Sequence, residues 1–214
     1  MLPAGGLPPP ITVDVIDDML FVGLALVKLS DGSASRLYVK RLEVGWIPYI
    51  AKFDEAADVV IVRDELDDHV PTVLKVRALS EIGVRPVVLA DQVSSVREQP
   101  LIAEGAVAVF SRGVSVQELA AYLGGLRTEE PRRSPRRGGG NRLSDRELQV
   151  ACLFVGRAAP PTPVIAGLLG IPLASVRTYL QRARKVLSEV GPVSTRESLR
   201  DALLSEGWLN SLSR

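Results

Sequence analysis

The sequence has little of the chemistry that builds disulfide frameworks or zinc sites. Its 214 residues include one cysteine, one histidine and 5% aromatic residues. Cys152 has no partner for an internal disulfide, and it falls on the apolar side of a predicted helix, where a thiol packs like a small aliphatic group. His69 alone makes a poor zinc site. Trp46 and Trp208 are predicted to be packing groups.

Long apolar runs are also missing. The stretch Met19–Leu29 is shorter than the roughly 20 residues needed to cross a bilayer and contains Lys28. The opening MLPAGGLPPP lacks the regions of a signal peptide, so residues 1–10 are predicted to be a loose tail. No phosphate-binding loop, nucleophile elbow or metal-ligand spacing is present. We therefore expect a cytoplasmic protein without membrane contact, enzyme activity, metal or cofactor.

Charge is divided unevenly along the chain. Residues 1–126 carry eleven basic and seventeen acidic side chains, a net charge of −6, whereas residues 127–214 carry fifteen and eight, a net charge of +7. Residues 127–142 (RTEEPRRSPRRGGGNR) contain almost no apolar side chain, so burial cannot offset the entropy of ordering them. We predict a linker there, with arginines available for auxiliary phosphate contacts. The basic second part is the one suited to a polyanion.

Residues 11–126 alternate short Val- and Ile-rich runs with helical patterns. The runs predicted to be buried parallel strands are Ile11–Ile16, Val59–Val62, Val87–Ala90 and Val107–Phe110, with a weaker fifth at Leu42–Trp46. Helical spacing covers Met19–Leu29, Thr72–Ile82 and Ser115–Leu126. This alternation predicts an α/β domain built on a doubly wound, five-stranded parallel sheet.

Residues 143–214 show helical patterns only. Ser144 and Glu147 are spaced as a capping box at the start of the first helix. A second helix opens with Pro163 near its start and ends at Gly170, and a third follows directly. The predicted helices start near Ser144, Thr162, Leu173 and Thr195. Two short helices joined by a glycine-containing turn predict a helix-turn-helix within a four-helix domain.

The third of these helices has one apolar and one basic face. The apolar side chains are Val176, Leu180, Ala183 and Leu187, and the polar ones are Ser175, Arg177, Thr178, Gln181, Arg182, Arg184 and Lys185. A helix fits the major groove, where arginine pairs with guanine and glutamine with adenine. Arg177, Thr178 and Gln181 lie near the N-terminus and are predicted to contact bases. The alternative is a solvated basic face on an ordinary bundle helix.

Residues 143–209 resemble the DNA-binding domain of LuxR/NarL-type regulators. The segments that carry the resemblance are LSDRELQVACLFVGR, VIAGLLGIPLASVRTYLQRARKVL and STRESLRDALLSEGWL. The segment RARKVL also resembles sigma-factor region 4, but the fourth helix favours the LuxR type. Three prolines, Pro160, Pro161 and Pro163, and Tyr179 depart from the family pattern. The resemblance implies that Thr195–Ser205 supplies a dimer contact and that the DNA site has paired half-sites.

The segment VDVIDD at residues 13–18 resembles the first strand of a phosphate-receiving domain, with Asp17 and Asp18 as its acidic pair. In such receivers the pair helps to hold Mg²⁺, a carboxylate after the third strand accepts phosphoryl, a Ser or Thr follows the fourth and a Lys follows the fifth. This chain has Arg63 at the accepting position and Asp64 one residue late, which reverses the side-chain face. Ala90 and Arg112 replace the hydroxyl and the lysine.

Arginine cannot accept phosphoryl as aspartate does. We therefore hypothesise that Arg63, together with Arg112, pairs with Asp17 or Asp18 and replaces the charge of the metal, which leaves a permanently unphosphorylated pocket. The alternative is that the acidic pair is an inherited strand end without present chemistry.

The sequence favours an atypical, or orphan, response regulator of the LuxR/NarL type. We expect it to bind double-stranded DNA as a homodimer, or as a heterodimer with a related regulator, independently of phosphorylation at a standard receiver aspartate. One alternative is a regulator that senses a small molecule in the degenerate pocket. Another is an adaptor that docks on RNA polymerase or another regulator without reading DNA.

Overall fold

A computed structural model describes residues 9–31, 36–53, 55–64, 66–126, 143–188 and 191–210. Residues 1–8 of the predicted tail and the predicted linker at 127–142 lie outside these ranges. The strands are β1 (Ile11–Ile16), β2 (Leu37–Glu43), β3 (Val59–Arg63), β4 (Arg85–Ala90) and β5 (Ala108–Ser111). The helices are α1 (Phe21–Ser30), α2 (Trp46–Ala51), α3 (Thr72–Glu81), α4 (Ser95–Ala103), α5 (Val116–Gly125), α6 (Asp145–Val155), α7 (Thr162–Leu169), α8 (Leu173–Leu187) and α9 (Arg196–Ser205).

The strands form one parallel sheet in the order β2-β1-β3-β4-β5. Helices α1 and α5 cover one face, where Leu26, Leu119 and Leu123 are buried against the sheet. Helices α2, α3 and α4 cover the other, where Tyr49 and Leu79 are fully buried. The predicted doubly wound, five-stranded sheet is confirmed. Because all strands are parallel, the carboxyl ends of β1, β3, β4 and β5 meet at one edge.

Two parts of the α/β domain differ from the sequence prediction. The second strand spans Leu37–Glu43, and Trp46, predicted as the end of that strand, begins helix α2 instead. Strand β2 is an edge strand, so it carries polar residues such as Lys40 that a buried strand would not. Helix α4 was not predicted because Pro100 lies inside it. Its start is nevertheless capped, since the side chain of Ser94 accepts a hydrogen bond from the backbone N–H of Arg97.

The second domain consists of the four predicted helices, and its start follows from local capping. Ser144 and Glu147 form a complete capping box at the start of α6. Gly170 ends α7 in the left-handed conformation with φ of 62°, which glycine adopts without strain. Within the described residues no single helix has the length and apolarity to cross a membrane. One bent pair, α7 with α8, passes that test by length and composition alone.

The two domains touch along α3 and α4 of the first domain and along α6 and the end of α9 in the second. Arg77 forms an ion pair with Asp145. The side-chain amide of Gln149 donates a hydrogen bond of 3.1 Å to the backbone carbonyl of His69. Leu74 packs against the core of the helical domain. Neither of the two polar contacts involves a residue of helix α8.

Candidate DNA-binding surface and acidic pocket

Helix α8 is fixed in the helical domain by its apolar side. Val176, Leu180, Ala183 and Leu187 are all buried in the core that α6, α7 and α9 share with this helix. Their spacing of four, three and four residues puts them on one stripe. The orientation of the opposite face is therefore set by the packing of the whole domain.

The opposite face of α8 is open to solvent. The exposed side chains are Arg177, Thr178, Gln181, Arg182 and Lys185, while Ser175 and Arg184 are half-buried. The guanidinium of Arg184 lies 5.7 Å from the ring centre of Phe154, which holds its stem against α6. The structure thus places five of the seven predicted DNA-contacting residues together on one accessible, positively charged surface.

Two of these side chains have partners within the domain. The hydroxyl of Thr178 donates to the backbone carbonyl of Ala174 at 3.0 Å, although the side chain as a whole is exposed. Arg182 lies 3.9 Å from the carboxylate of Glu147, a long contact for a side chain that is 64% exposed. Such an exposed pair is weak, so Arg182 can exchange this partner for a phosphate.

The acidic pair at the end of β1 has an internal cation. The guanidinium of Arg63, at the end of β3, forms an ion pair with Asp18 and lies 3.9 Å from the nearer oxygen of Asp17. Asp17 is buried, and its carboxylate also accepts a hydrogen bond of 3.2 Å from the backbone N–H of Met19. The predicted pairing of Arg63 with the acidic pair is present in the structure.

The other predicted pocket residues are arranged differently. Arg112 bonds to Asp91 at 2.7 Å and to the sulfur of Met19 at 2.9 Å, so it does not join Arg63 at the acidic pair. Ala90 is fully buried at the end of β4 and offers no polar atom from its side chain.

The carboxylate of Asp64 points away from the acidic pair. Both of its oxygens accept hydrogen bonds from the guanidinium of Arg97 on α4, at 2.5 and 3.0 Å. Burial opposes ionisation of Asp64, but the positive charge of Arg97 holds the pKa of this carboxyl below its usual range. The sequence analysis did not identify Arg97. A usable signal was its position three residues after the N-cap Ser94, because a positive charge is unfavourable in the first turn of a helix and indicates an acidic partner nearby.

A second buried charge near Asp64 was also missed. Lys75 of α3 is completely buried and pairs with Asp68 at 2.7 Å. Burial lowers the pKa of Lys75, and the carboxylate of Asp68 counteracts part of that effect. Nothing in the local sequence of α3 indicates this pair, because the partner lies in the preceding loop.

The fold type suggests a magnesium site at this edge of the sheet, and the residues present do not fit one. The guanidinium of Arg63 occupies the contact with Asp18 that a cation would need, and a metal ion beside it would be repelled. Asp64, the remaining carboxylate near the end of β3, is held by Arg97. In the part of the chain that the structure describes, no group of three or more His, Cys, Asp or Glu could hold a metal ion.

Comparison with known proteins gives a structural likeness only. No family model matches the chain, and no curated protein matches it. The structure of a complex of the two-component response regulator RcsB with DNA has a TM-score of 0.58 and 18% identity, covering 91% of this chain and 98% of that one. RcsB from Salmonella enterica serovar Typhimurium, bound to promoter rprA in the presence of the phosphomimetic BeF3⁻, has a TM-score of 0.55 and 16% identity with the same coverage. The chain therefore shares the whole two-domain fold of these response regulators, an α/β receiver domain followed by a helical domain.

Proposed function

We propose that this chain is a sequence-specific DNA-binding regulator of transcription that reads the major groove with α8. The observation that carries this proposal is the outward face of α8, where Arg177, Gln181 and Lys185 are exposed while the opposite side of the helix is buried. A rigid helix with a solvent-facing row of donors has the shape and charge of a recognition helix. The likeness to RcsB structures with bound DNA supports the same orientation.

The position of each side chain along α8 suggests its role. Arg177, Thr178 and Gln181 lie in the first half of the helix and are assigned to base edges. The hydroxyl of Thr178 already donates to Ala174, so its methyl group is the part of the side chain left for apolar contact with the methyl group of thymine. The phosphate contacts are assigned to Ser175, Arg182, Arg184 and Lys185.

DNA binding as a dimer is the second part of the proposal. One structure of similar fold, with a TM-score of 0.53 and 18% identity, contains two RcsB dimers bound to two parallel DNAs. In this chain α9 is the helix that the resemblance to LuxR/NarL-type regulators assigns to the dimer contact. Its exposed side carries Glu197 and Asp201, one turn apart. A symmetric dimer, whether of two copies or of this chain with a related regulator, requires two half-sites in the operator.

The third part is independence from phosphorylation. The ion pair between Arg63 and Asp18 supplies a positive charge where a receiver would place a metal. Asp64, the nearest candidate acceptor, is 1% exposed and has both oxygens bonded to Arg97, so a phosphoryl donor cannot reach it without breaking that pair. The α/β domain therefore keeps the same conformation without phosphorylation.

A second candidate function is contact with RNA polymerase or another protein. Val164 and Leu168 of α7 are 47% and 48% exposed and lie one turn apart, beside the turn that leads into α8. The exposed surface of α7 has no charged side chain, so it does not add to DNA binding by attracting phosphates. Covering these two residues by a partner would remove apolar surface from water.

The test is selection of DNA from a random pool by purified protein that has not been exposed to a phosphoryl donor. We expect enrichment of a motif with two half-sites, lost in Arg177→Ala and Gln181→Ala. Arg36→Ala removes one exposed positive charge from the α/β domain and serves as the matched control, which should keep the motif. Equal loss in the control, or no enrichment by the unmodified chain at low salt, would contradict the proposal.

The salt dependence of binding distinguishes a reader of DNA from an adaptor. Each phosphate contact releases counterions, so Lys185→Ala should reduce the slope of log affinity against log salt by about 1 without changing the selected motif. An affinity that does not depend on salt would favour the adaptor.

A further inference from the structure

The side chain of Arg97 joins the two domains from a buried position. It is 6% exposed, and two of its nitrogens are bonded to Asp64 at the end of β3. Its remaining terminal nitrogen, Nη1, donates to the backbone carbonyl of Gly207 at 2.7 Å. Gly207 follows α9 in the helical domain, 110 residues further along the chain. One guanidinium therefore bonds to both domains at once.

The backbone on both sides of this contact is shaped for close approach. Pro100 has no N–H, so the carbonyl of Val96 lacks the donor that a helix normally supplies four residues later. Gly207, with φ of 70°, lies against this carbonyl group of Val96. A Cβ atom on Gly207 would lie 1.9 Å from the oxygen of Val96 and 3.0 Å from a ring carbon of Pro100. Only glycine fits this position, both for conformation and for space.

We propose that Arg97 and Gly207 form an interdomain latch, which docks the helical domain on α4 and holds it with the outward face of α8 uncovered. The neighbouring contacts add less. Asp145, the partner of Arg77 across the interface, is 63% exposed, and exposed ion pairs contribute little. A buried, charge-assisted hydrogen bond resists exchange with water and fixes the orientation of its partners.

The latch is connected to the acidic pocket through a single peptide. Arg63, which contacts Asp18, and Asp64, which holds Arg97, are consecutive residues at the end of β3. A displacement of this peptide would therefore move Asp64 relative to Arg97. The consequence for DNA rests on the proposed function, whereas the docking itself does not.

The first test measures the distance between the domains in the full chain. Spin labels are attached through Gln117→Cys on α5 and Arg157→Cys after the end of α6, both exposed positions outside α8 and α9, in a Cys152→Ala background. Pulsed electron resonance should give a single narrow distance distribution for this parent. Gly207→Ala should abolish the single narrow peak, because its Cβ cannot fit against α4.

Gly170→Ala is the matched control. Gly170 also ends a helix of the second domain with positive φ, yet a Cβ there would meet nothing within 4 Å. It carries the same backbone strain without the clash at the interface and should keep the narrow distribution. If Gly207→Ala keeps the parent distribution, or has lost its helical circular dichroism, the proposal is overturned, since the glycine would then not serve docking.

The second test removes both charges of the Asp64–Arg97 ion pair together. The double variant Asp64→Leu/Arg97→Met leaves no buried charge without a partner, so folding is retained better than in either single variant. It should also lose the narrow distance distribution while keeping the circular dichroism of the parent. Unchanged distances in the folded double variant would refute the role of Arg97. If the double variant shows broadened distances and the unmodified chain selects no DNA motif, the latch stands and the proposed function is rejected.

Discussion

Replacing Arg63 by methionine is the sharpest test of the closed acidic pocket. The change keeps most of the apolar stem but removes the positive charge that faces Asp17 and Asp18. Two adjacent carboxylates then lack their cation, and one of them, Asp17, is only 4% exposed. The folded state must carry that charge or protonate it, so the free energy of unfolding should fall.

The size of the loss follows from burial. Removing one partner of a buried ion pair costs about 3–5 kcal/mol. The carboxylate of Asp18 is 44% exposed and can be hydrated once Arg63 is gone, so we expect a smaller loss of about 2–3 kcal/mol for Arg63→Met, at or below the lower end of that range. Arg112→Met is the matched control, because Arg112 and Asp91 are 30% and 35% exposed and such pairs contribute at most about 1 kcal/mol.

Denaturant titration with and without magnesium measures both parts of this reasoning. The unmodified protein should not respond to millimolar MgCl₂, since Arg63 already neutralises the pocket. In Arg63→Met the freed carboxylates should bind Mg²⁺, and a ligand at ten times its Kd adds about 1.4 kcal/mol. Stabilisation of the unmodified protein by Mg²⁺, or a loss in Arg63→Met no larger than in Arg112→Met, would refute the argument.

Other predictions concern the core, the thiol and the latch. Leu180→Ala should lower the free energy of unfolding by about 2–5 kcal/mol, because Leu180 is buried beneath the exposed face of α8; urea titration measures this. Burial raises the pKa of Cys152 to about 12, so the thiol should react with a disulfide reagent at pH 8 only after unfolding; rapid labelling of the folded chain would contradict this. Asp64 has a folded-state pKa below its ordinary value of 3.8, so its stabilising contribution is full above that value and is lost as pH falls through the folded pKa. This acid-sensitive part of the free energy of unfolding should be absent from Asp64→Leu/Arg97→Met.

The parts of the fold that could be predicted are those with local physical causes. Strand β1 lies where its Val and Ile pattern placed it, and α6 begins at the capping box of Ser144. The basic and apolar faces of α8 follow from spacing along one helix. Edge strand β2 was predicted too late in the chain, because Lys40 interrupts its apolar pattern, and helix α4 was not predicted, because Pro100 argues against a helix.

For the candidate site, the sequence alone predicted the basic face of α8 and, through the resemblance to receiver domains, the position of Arg63 beside the acidic pair. A helical period or a strand position fixes such features within a few residues. Only the tertiary structure decided that Asp64 turns to Arg97, and that Arg97 reaches Gly207. These partners are 33 and 110 residues apart, and their meeting depends on how β3, α4 and the end of α9 pack, which no local pattern encodes.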